Sequence, residues 1–198
     1  TGNALNFGDL PYDGWGTGAA SNNIRWLNFG DYNTNQISYV TIASLGDAQD
    51  FGDLLQTGGG QYHKGCGSST RCIIFAPDAG EDIQYVTYAS TGNATSFGEM
   101  TPNTQGNSGA ASDSTRAIRF GGRDNPAGNA INQMEYVTIA STGDAQDFGD
   151  LTSVSKQGDA TSNSMRAVHN IGDSGSVTNA IDYVTIQTTG NAKDFGDL

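Results

Sequence analysis

Apolar and polar residues alternate with a period of two in a segment that recurs four times along the chain. In one copy, alternation puts Tyr136 and Thr138 on one face of a strand and Val137 and Ile139 on the other. β-branched and aromatic residues favour strands, and no segment combines helical spacing with capping residues. Both faces of the strand carry side chains that need cover, which predicts a sheet packed between two neighbouring sheets.

This strand belongs to a tandem repeat. The string Tyr-Val-Thr-Ile-Ala-Ser-x-Gly-Asp/Asn-Ala-x-x-Phe-Gly-Asp-Leu occurs, with small substitutions, at 39–54, 85–100, 136–151 and 183–198, and a partial copy, the leader, occupies 1–10. A shorter motif containing Arg precedes each long string, at Arg25, Arg71, Arg116 and Arg166. The repeat divides a single domain, 1–198, into the leader and units 11–54, 55–100, 101–151 and 152–198.

Each unit is predicted to hold four antiparallel strands. A Gly-, Ala- and Ser-rich stretch such as 106–111 supplies the first, and Gly-Asp or Gly-Asn suits the turn before the Phe-Gly-Asp-Leu edge. Phe148 and Leu151 would face opposite ways in a regular strand, but a bulge at Gly149 turns both inward. A small sheet with two buried faces is typical of a propeller blade. We predict an all-β fold, a small β-propeller of about four blades, with five blades or an open β-repeat array as the alternatives.

The order of motifs within a unit resembles a kelch-type repeat: Arg116, a short strand ending in Gly121-Gly122, an Ile-x-Tyr strand and an aromatic-Gly edge. The whole units also resemble arrays in predicted tail-fibre and appendage proteins of marine bacteriophages. This resemblance implies a virion or extracellular location and an adhesive or structural role. It carries no known catalytic residues.

The leader duplicates the last strand of the fourth unit, 190–198, and only one of the two can occupy a given blade. Three interpretations stay open. The leader is the tail of an upstream unit in a longer array, or a terminal strand pairs with a neighbouring molecule, or the leader contributes to an incomplete fifth blade. In each case we expect the spare strand to matter for assembly.

The composition and motifs of the chain exclude several classes of partner and activity. The chain has 9 basic and 21 acidic residues and a formal charge of −12, which argues against nucleic acid and anionic membranes. No apolar run approaches the length of about 20 residues that a membrane span needs, so no membrane insertion is expected. There is no Gly-x-Ser-x-Gly elbow, phosphate loop or consistent His partner, so we expect no enzyme activity.

Acidic residues recur with a spacing of three, which suggests one Ca²⁺ site per unit because that ion prefers oxygen ligands. The candidate ligands are Asp47, Asp50, Asp53, Asp144, Asp147 and Asp150. The favoured alternative is that these carboxylates cap turns and discourage edge pairing. No other cofactor is expected.

The repeated Arg is predicted to tie each blade to a carboxylate or backbone carbonyls of its neighbour rather than to hold a ligand. Cys66 and Cys72 flank a short turn and form a candidate disulfide, with a gain of about 2 kcal/mol. Zinc with His63 is disfavoured because no fourth ligand lies near in sequence.

Residues that differ between units are the candidates for recognition of a cell-surface glycan or protein receptor. They are Tyr12, Trp15, Trp26, Tyr32, Tyr62 and His63. Alternatively, Trp26 fills the position of Ile74 or Arg119 in other units, and Trp15 plugs a gap. We predict a non-enzymatic binding or adhesion module, with a homo-oligomer or other virion proteins as further partners. The alternative is a structural module that assembles into an appendage or filament through a spare terminal strand.

Overall fold

The computed structural model describes residues 2–31, 33–55, 62–75, 81–106, 109–176 and 178–198. Every regular element in these ranges is a β-strand. The described residues therefore contain no helix of the length and apolar character that a membrane crossing needs. The strands are β1 (Gly18–Ser21), β2 (Arg25–Asp31), β3 (Thr34–Thr41), β4 (Gln49–Asp53), β5 (Lys64–Gly67), β6 (Arg71–Phe75), β7 (Asp82–Thr87), β8 (Thr95–Glu99), β9 (Thr104–Gln105), β10 (Gly109–Ser112), β11 (Arg116–Asp124), β12 (Ala130–Thr138), β13 (Gln146–Ser155), β14 (Asp159–Ser162), β15 (Arg166–Asn170), β16 (Ala180–Thr185) and β17 (Lys193–Asp197).

The strands form four antiparallel sheets, one from each repeat unit, arranged as a four-bladed β-propeller. Blades 1 to 4 have the orders β1-β2-β3-β4, β5-β6-β7-β8, β10-β11-β12-β13 and β14-β15-β16-β17, and the short β9 pairs with β11. The first strand of each blade is innermost: β1 packs on β5, β5 on β10 and β10 on β14. A salt bridge of 3.4 Å from Lys64 Nζ to Asp159 Oδ1 links blades 2 and 4. The predicted fold class is confirmed.

The core lies between blades, in three separate clusters. Val137 and Ile139 of blade 3 are buried against blade 2, whereas Tyr136 of the same strand packs on the cluster shared with blade 4. For the long strand of blade 3, the prediction that both faces are covered is therefore confirmed. Each blade depends on its neighbours because a two-sided sheet of this size cannot bury its apolar residues alone.

The bulge in the outer strand is also confirmed. The register of β12 and β13 shifts between Met134 and Glu135, opposite Gly149, whose φ is +133°. Phe148 and Leu151 are both buried in the cluster between blades 3 and 4. A glycine is needed here because an L side chain rarely adopts this φ.

Successive blades are joined by one recurring set of contacts at their outer strands, which we call the blade contact. Between blades 1 and 2, Gly92 N donates to Phe51 O and Ala94 N donates to Asp53 O, both at 2.7 Å. Asp53 N donates in turn to Asn93 Oδ1 at 3.0 Å. The same bonds recur between blades 2 and 3, from Gly143 and Ala145, and between blades 3 and 4, from Gly190 and Ala192.

The outer-strand glycine is required at each blade contact because the backbone of the next blade touches it. A Cβ added to Gly52 would lie 2.4 Å from the carbonyl of Gly92. One added to Gly98 would lie 2.2 Å from Gly143 O, and Gly149 meets Gly190 in the same way. Nothing larger than glycine fits between two blades at this point without a shift of the backbone.

The repeated Arg completes the blade contact. The guanidinium NH1 of Arg25, Arg71 and Arg116 donates to a backbone carbonyl of the next blade, at Tyr88, Ile139 and Ile186, over 2.6, 2.7 and 3.1 Å. Each of these guanidinium groups also stacks on the tyrosine of its own blade, with its carbon 4.4–4.6 Å from the ring centroid. The structure therefore supports the scaffolding interpretation of these arginines.

Candidate functional site

The leader lies on the side of blade 1 that no blade covers, and it makes the backbone bonds of a blade contact there. Gly46 N donates to Phe7 O and Ala48 N donates to Asp9 O, both at 2.9 Å. Asp9 N donates to Asp47 Oδ1 at 3.0 Å. A Cβ on Gly8 would lie 2.2 Å from Gly46 O, as in the blade contacts. The leader thus takes the place of the outer strand of a preceding blade.

The leader covers only part of this side of blade 1. Phe7 is 37% exposed, and an open groove of about 440 Å³ is lined by apolar side chains that include Phe7, Leu10, Trp26 and Ile42. Ile42 is 44% exposed, whereas its counterparts Tyr88, Ile139 and Ile186 are buried against the preceding blade. We call this surface the blade 1 face.

Blade 4 presents the opposite half of the same contact, which we call the blade 4 face. Phe195 is 54% and Leu198 80% exposed, although the equivalent Phe and Leu or Met of the other blades are buried. Arg166 stacks over Tyr183 at 4.5 Å like the other repeated arginines, but it is exposed. A Cβ on Gly196 would meet nothing within 4 Å.

The two end faces are therefore complementary halves of one blade contact. The segments 1–10 and 189–198 differ only at Leu5 against Lys193 and at Asn6 against Asp194. Residues 2–10 of the leader show how such a segment sits on blade 1. Among the described residues, no hydrogen bond joins β14 to β1 or β17 to blade 1.

The predicted recognition residues divide between two places. Trp15 is 58% exposed, and Tyr62 N donates to the neighbouring Gly16 O at 2.6 Å, so Trp15 and Tyr62 lie close together. Tyr12 is instead tied to blade 1, where its hydroxyl donates to Asn28 Oδ1 at 3.3 Å. Tyr32 lies outside the described residues.

Trp26 lies in the groove of the blade 1 face. It pairs with Ser21, as Cys72 pairs with Gly67 and Ala117 with Ser112. The expectation that it replaces Ile74 or Arg119 was wrong, because strand register aligns it with a small, buried residue of the other blades.

His63 is not an exposed recognition residue, which corrects the expectation from its variable position. Its side chain is buried, and its ring meets Phe29 edge-on with centroids 6.4 Å apart. A Cβ on Gly30 would lie 2.2 Å from His63 Nδ1, so the imidazole fills the space that this glycine leaves. The imidazole helps to pack blade 2 on blade 1.

The candidate Ca²⁺ ligands serve turns and blade contacts. Asp50 Oδ1 and Asp147 Oδ1 each accept the backbone N–H two residues on, both at 3.1 Å. Asp47 accepts the backbone N–H of Asp9 in the leader, and Asp144 accepts that of Glu99 in β8, both at 3.0 Å. The backbone N–H groups of Asp53 and Asp150 donate to Asn93 and Asn191. Within the described ranges, no three His, Cys, Asp or Glu residues form a metal-binding group.

The disulfide prediction is corrected, because both cysteines are free. Cys66 faces the cluster shared with blade 3, and Cys72 faces the cluster shared with blade 1, on the opposite side of the sheet. Burial raises the pKa of Cys66 to about 12 and also raises the pKa of Cys72. Both side chains act as small apolar core residues.

His169 is buried in blade 4, stacked on Phe120 of blade 3 with ring centroids 5.3 Å apart. Burial lowers its pKa to about 4, an effect that Asp159 partly opposes and Lys64 reinforces. The imidazole is therefore neutral at pH 7.

Sequence reasoning missed a polar position inside the blades, although a polar residue precedes the repeated Tyr in every unit. Gln84, Glu135 and Asp182 are buried there. They accept the backbone N–H of the residue that follows the Leu or Met of the preceding edge motif, at 2.7–2.8 Å; these donors are Leu55, Thr101 and Thr152. Glu135 also forms a buried ion pair with Arg119. Blade 1 has the shorter Ser38, and the residue after the leader is Pro11, which has no N–H to donate.

Fold and site together define a repeat protein of the β-propeller class with two exposed, mutually complementary blade faces. No protein-family model matches the sequence, and no curated protein is significantly similar to it. Its function is therefore argued from the two faces.

Proposed function

We propose that the chain is a structural repeat module that joins to copies of itself by forming further blade contacts at its two ends. The observation that carries this proposal is the exposure of Phe195 and Leu198 on the blade 4 face and of Ile42 on the blade 1 face. In the contacts inside the chain, the counterparts of Phe195 and Leu198 on one blade share a buried cluster with the counterpart of Ile42 on the next blade. Surfaces of this kind are buried at the three blade contacts inside the chain. Joining them end to end gives a heterologous contact that extends into a filament or closes into a ring.

An appendage suits such a module. The bacteriophage tail-fibre and appendage arrays that the sequence resembles support a location in a virion or outside the cell. Other virion proteins that carry the same repeat are further partners of the same kind.

Sedimentation velocity over a wide range of concentration tests the proposal. We expect the average mass to rise with concentration, because each association buries apolar surface on both faces. The double variant Phe195→Asp with Leu198→Asp is expected to stay monomeric. Leu55→Asp is the control, since Leu55 is also exposed but lies on the connection between blades 1 and 2. If the chain stays monomeric at the highest concentration, both as wild type and without residues 1–10, the proposal is contradicted.

Glycan or receptor recognition is a second candidate, favoured by the exposed indole of Trp15 beside Tyr62. Exposed aromatic faces stack well on sugar rings and anchor protein interfaces. Titration of saccharides in a calorimeter tests it. Trp15→Phe is expected to abolish a binding response that Trp26→Phe retains, and the absence of any response from the wild-type chain contradicts it.

A further inference from the structure

We propose that the leader is an exchangeable cap, and that the blade 4 face of a second copy of the chain displaces it from blade 1. This inference rests on the proposed function and adds the partner, the register of the contact and the element that controls it.

The leader is held by few interactions. Residues 2–10 are exposed throughout and belong to no strand ladder. Two backbone bonds, from Gly46 and Ala48, and the bond from Asp9 to Asp47 hold it on blade 1. By contrast, β17 is paired with β16 from Lys193 to Asp197. A competing β17 therefore arrives already ordered, and ordering a free strand costs conformational entropy.

The blade 4 face of a second copy can make the same backbone hydrogen bonds as the leader and one additional hydrogen bond from an arginine. The proposed contact follows the register of the three blade contacts inside the chain. In that register, Gly46 N donates to Phe195 O and Ala48 N donates to Asp197 O. Asp197 N donates to Asp47 Oδ1. Arg166 NH1 then reaches the carbonyl of Ile42, as Arg71 reaches Ile139. The leader has no guanidinium to make this bond.

Space at the contact is also consistent with this exchange. The open side of Gly196 receives the Gly46 carbonyl, as Gly8 does now. Trp26 is larger than its counterparts Cys72 and Ala117, whereas Val168 on the blade 4 face is smaller than its counterpart Ile118. In the built contacts these two positions share one apolar cluster, so the smaller valine offsets part of the extra volume of the indole.

The partner is a second copy of the chain, because one molecule exposes both the blade 1 face and the blade 4 face. Within the described residues the leader, not β17, holds blade 1, while Phe195 and Leu198 stay exposed. Two complementary faces at opposite ends of one chain are the requirement for head-to-tail association.

Deletion of the leader tests the capping role. We expect the chain without residues 1–10 to associate at a concentration at least about tenfold lower than wild type, because no strand has to leave blade 1 first. In that background, Gly196→Ala is expected to abolish association because the new methyl group meets Gly46 O. Gly128→Ala is the matched control, since Gly128 also has a positive φ, of +73°, and open space around its Cβ position. If the leaderless chain still associates with Gly196→Ala, as it should with Gly128→Ala, the chains do not associate through the proposed contact, and the inference is overturned.

A cysteine pair tests the register in the full chain. Asp47→Cys with Asp197→Cys is expected to give dimers and longer ladders on a non-reducing gel. The calibrating pair is Asp150→Cys with Asn191→Cys, which occupies the equivalent positions in a built contact and should form an intramolecular bond. A bond between residues 47 and 197 within one monomer means that the ring closes on itself, which overturns the role of the second copy.

The two proposals fail in different ways. If neither the wild-type nor the leaderless chain associates, the proposed function is wrong. If wild type associates but the leaderless chain does not, the leader itself inserts into the partner, and only the capping inference is wrong.

Discussion

The same motif residue should contribute very differently to stability at Phe148 and at Phe195. Both rings lie edge-on to a tyrosine of their own blade, with centroids 5.9 Å apart. Phe148 is also covered by blade 4 and is 2% exposed, whereas Phe195 is 54% exposed. Truncation of a buried Phe to Ala costs about 3–5 kcal/mol. Since Phe195 is about half exposed, we expect its truncation to cost about 1–2 kcal/mol.

Thermal unfolding followed by circular dichroism, at a concentration where the chain is monomeric, measures the difference. For a domain of this size, 1 kcal/mol corresponds to a change in Tm of about 2–4 °C. Phe148→Ala should therefore lower Tm by about 10 °C and Phe195→Ala by only a few degrees. Equal losses at the two positions would refute the reasoning, because they would show that cover from the next blade adds nothing to the stability of the motif.

Three further results are expected. Arg71→Ala should destabilise the monomer by about 1–3 kcal/mol, through loss of its hydrogen bond and stacking, whereas Arg166→Ala should have a smaller effect; urea unfolding compares the two. Cys66 and Cys72 should react with a thiol reagent at pH 8 only when the chain is unfolded, as followed by absorbance. Because the folded pKa of His169 lies below its unfolded value of 6.5, its contribution to stability is complete above pH 6.5 and is lost between about pH 6.5 and 4. His169→Phe should reduce this pH dependence of the unfolding free energy.

Much of the fold followed from local patterns. Alternation along 136–139 and the Phe-Gly-Asp-Leu spacing predicted a two-sided sheet with a bulge at Gly149, and both were confirmed. The position of the innermost strand was less exact, since β10 runs from Gly109 to Ser112 where 106–111 was predicted. Gly, Ala and Ser carry little strand preference of their own, so pairing with β11 decides which of them belong to the strand.

The site residues were harder to place because exposure is not a local property. Variation between units marked both Trp15 and His63, yet one is exposed and the other is buried. Cys66 and Cys72 are close in sequence, but strand alternation sends them to opposite faces of a sheet that is buried on both sides. Only the packing of blade on blade distinguishes these cases.

By itself, the sequence determined the repeat, the strands and the redundancy between residues 1–10 and 189–198, because these depend on residue type and spacing along one strand. Tertiary structure alone decided that the leader sits on blade 1 and leaves the blade 4 face exposed. Two nearly identical segments have the same local preferences, so the difference between them comes from which neighbours the rest of the chain brings against each.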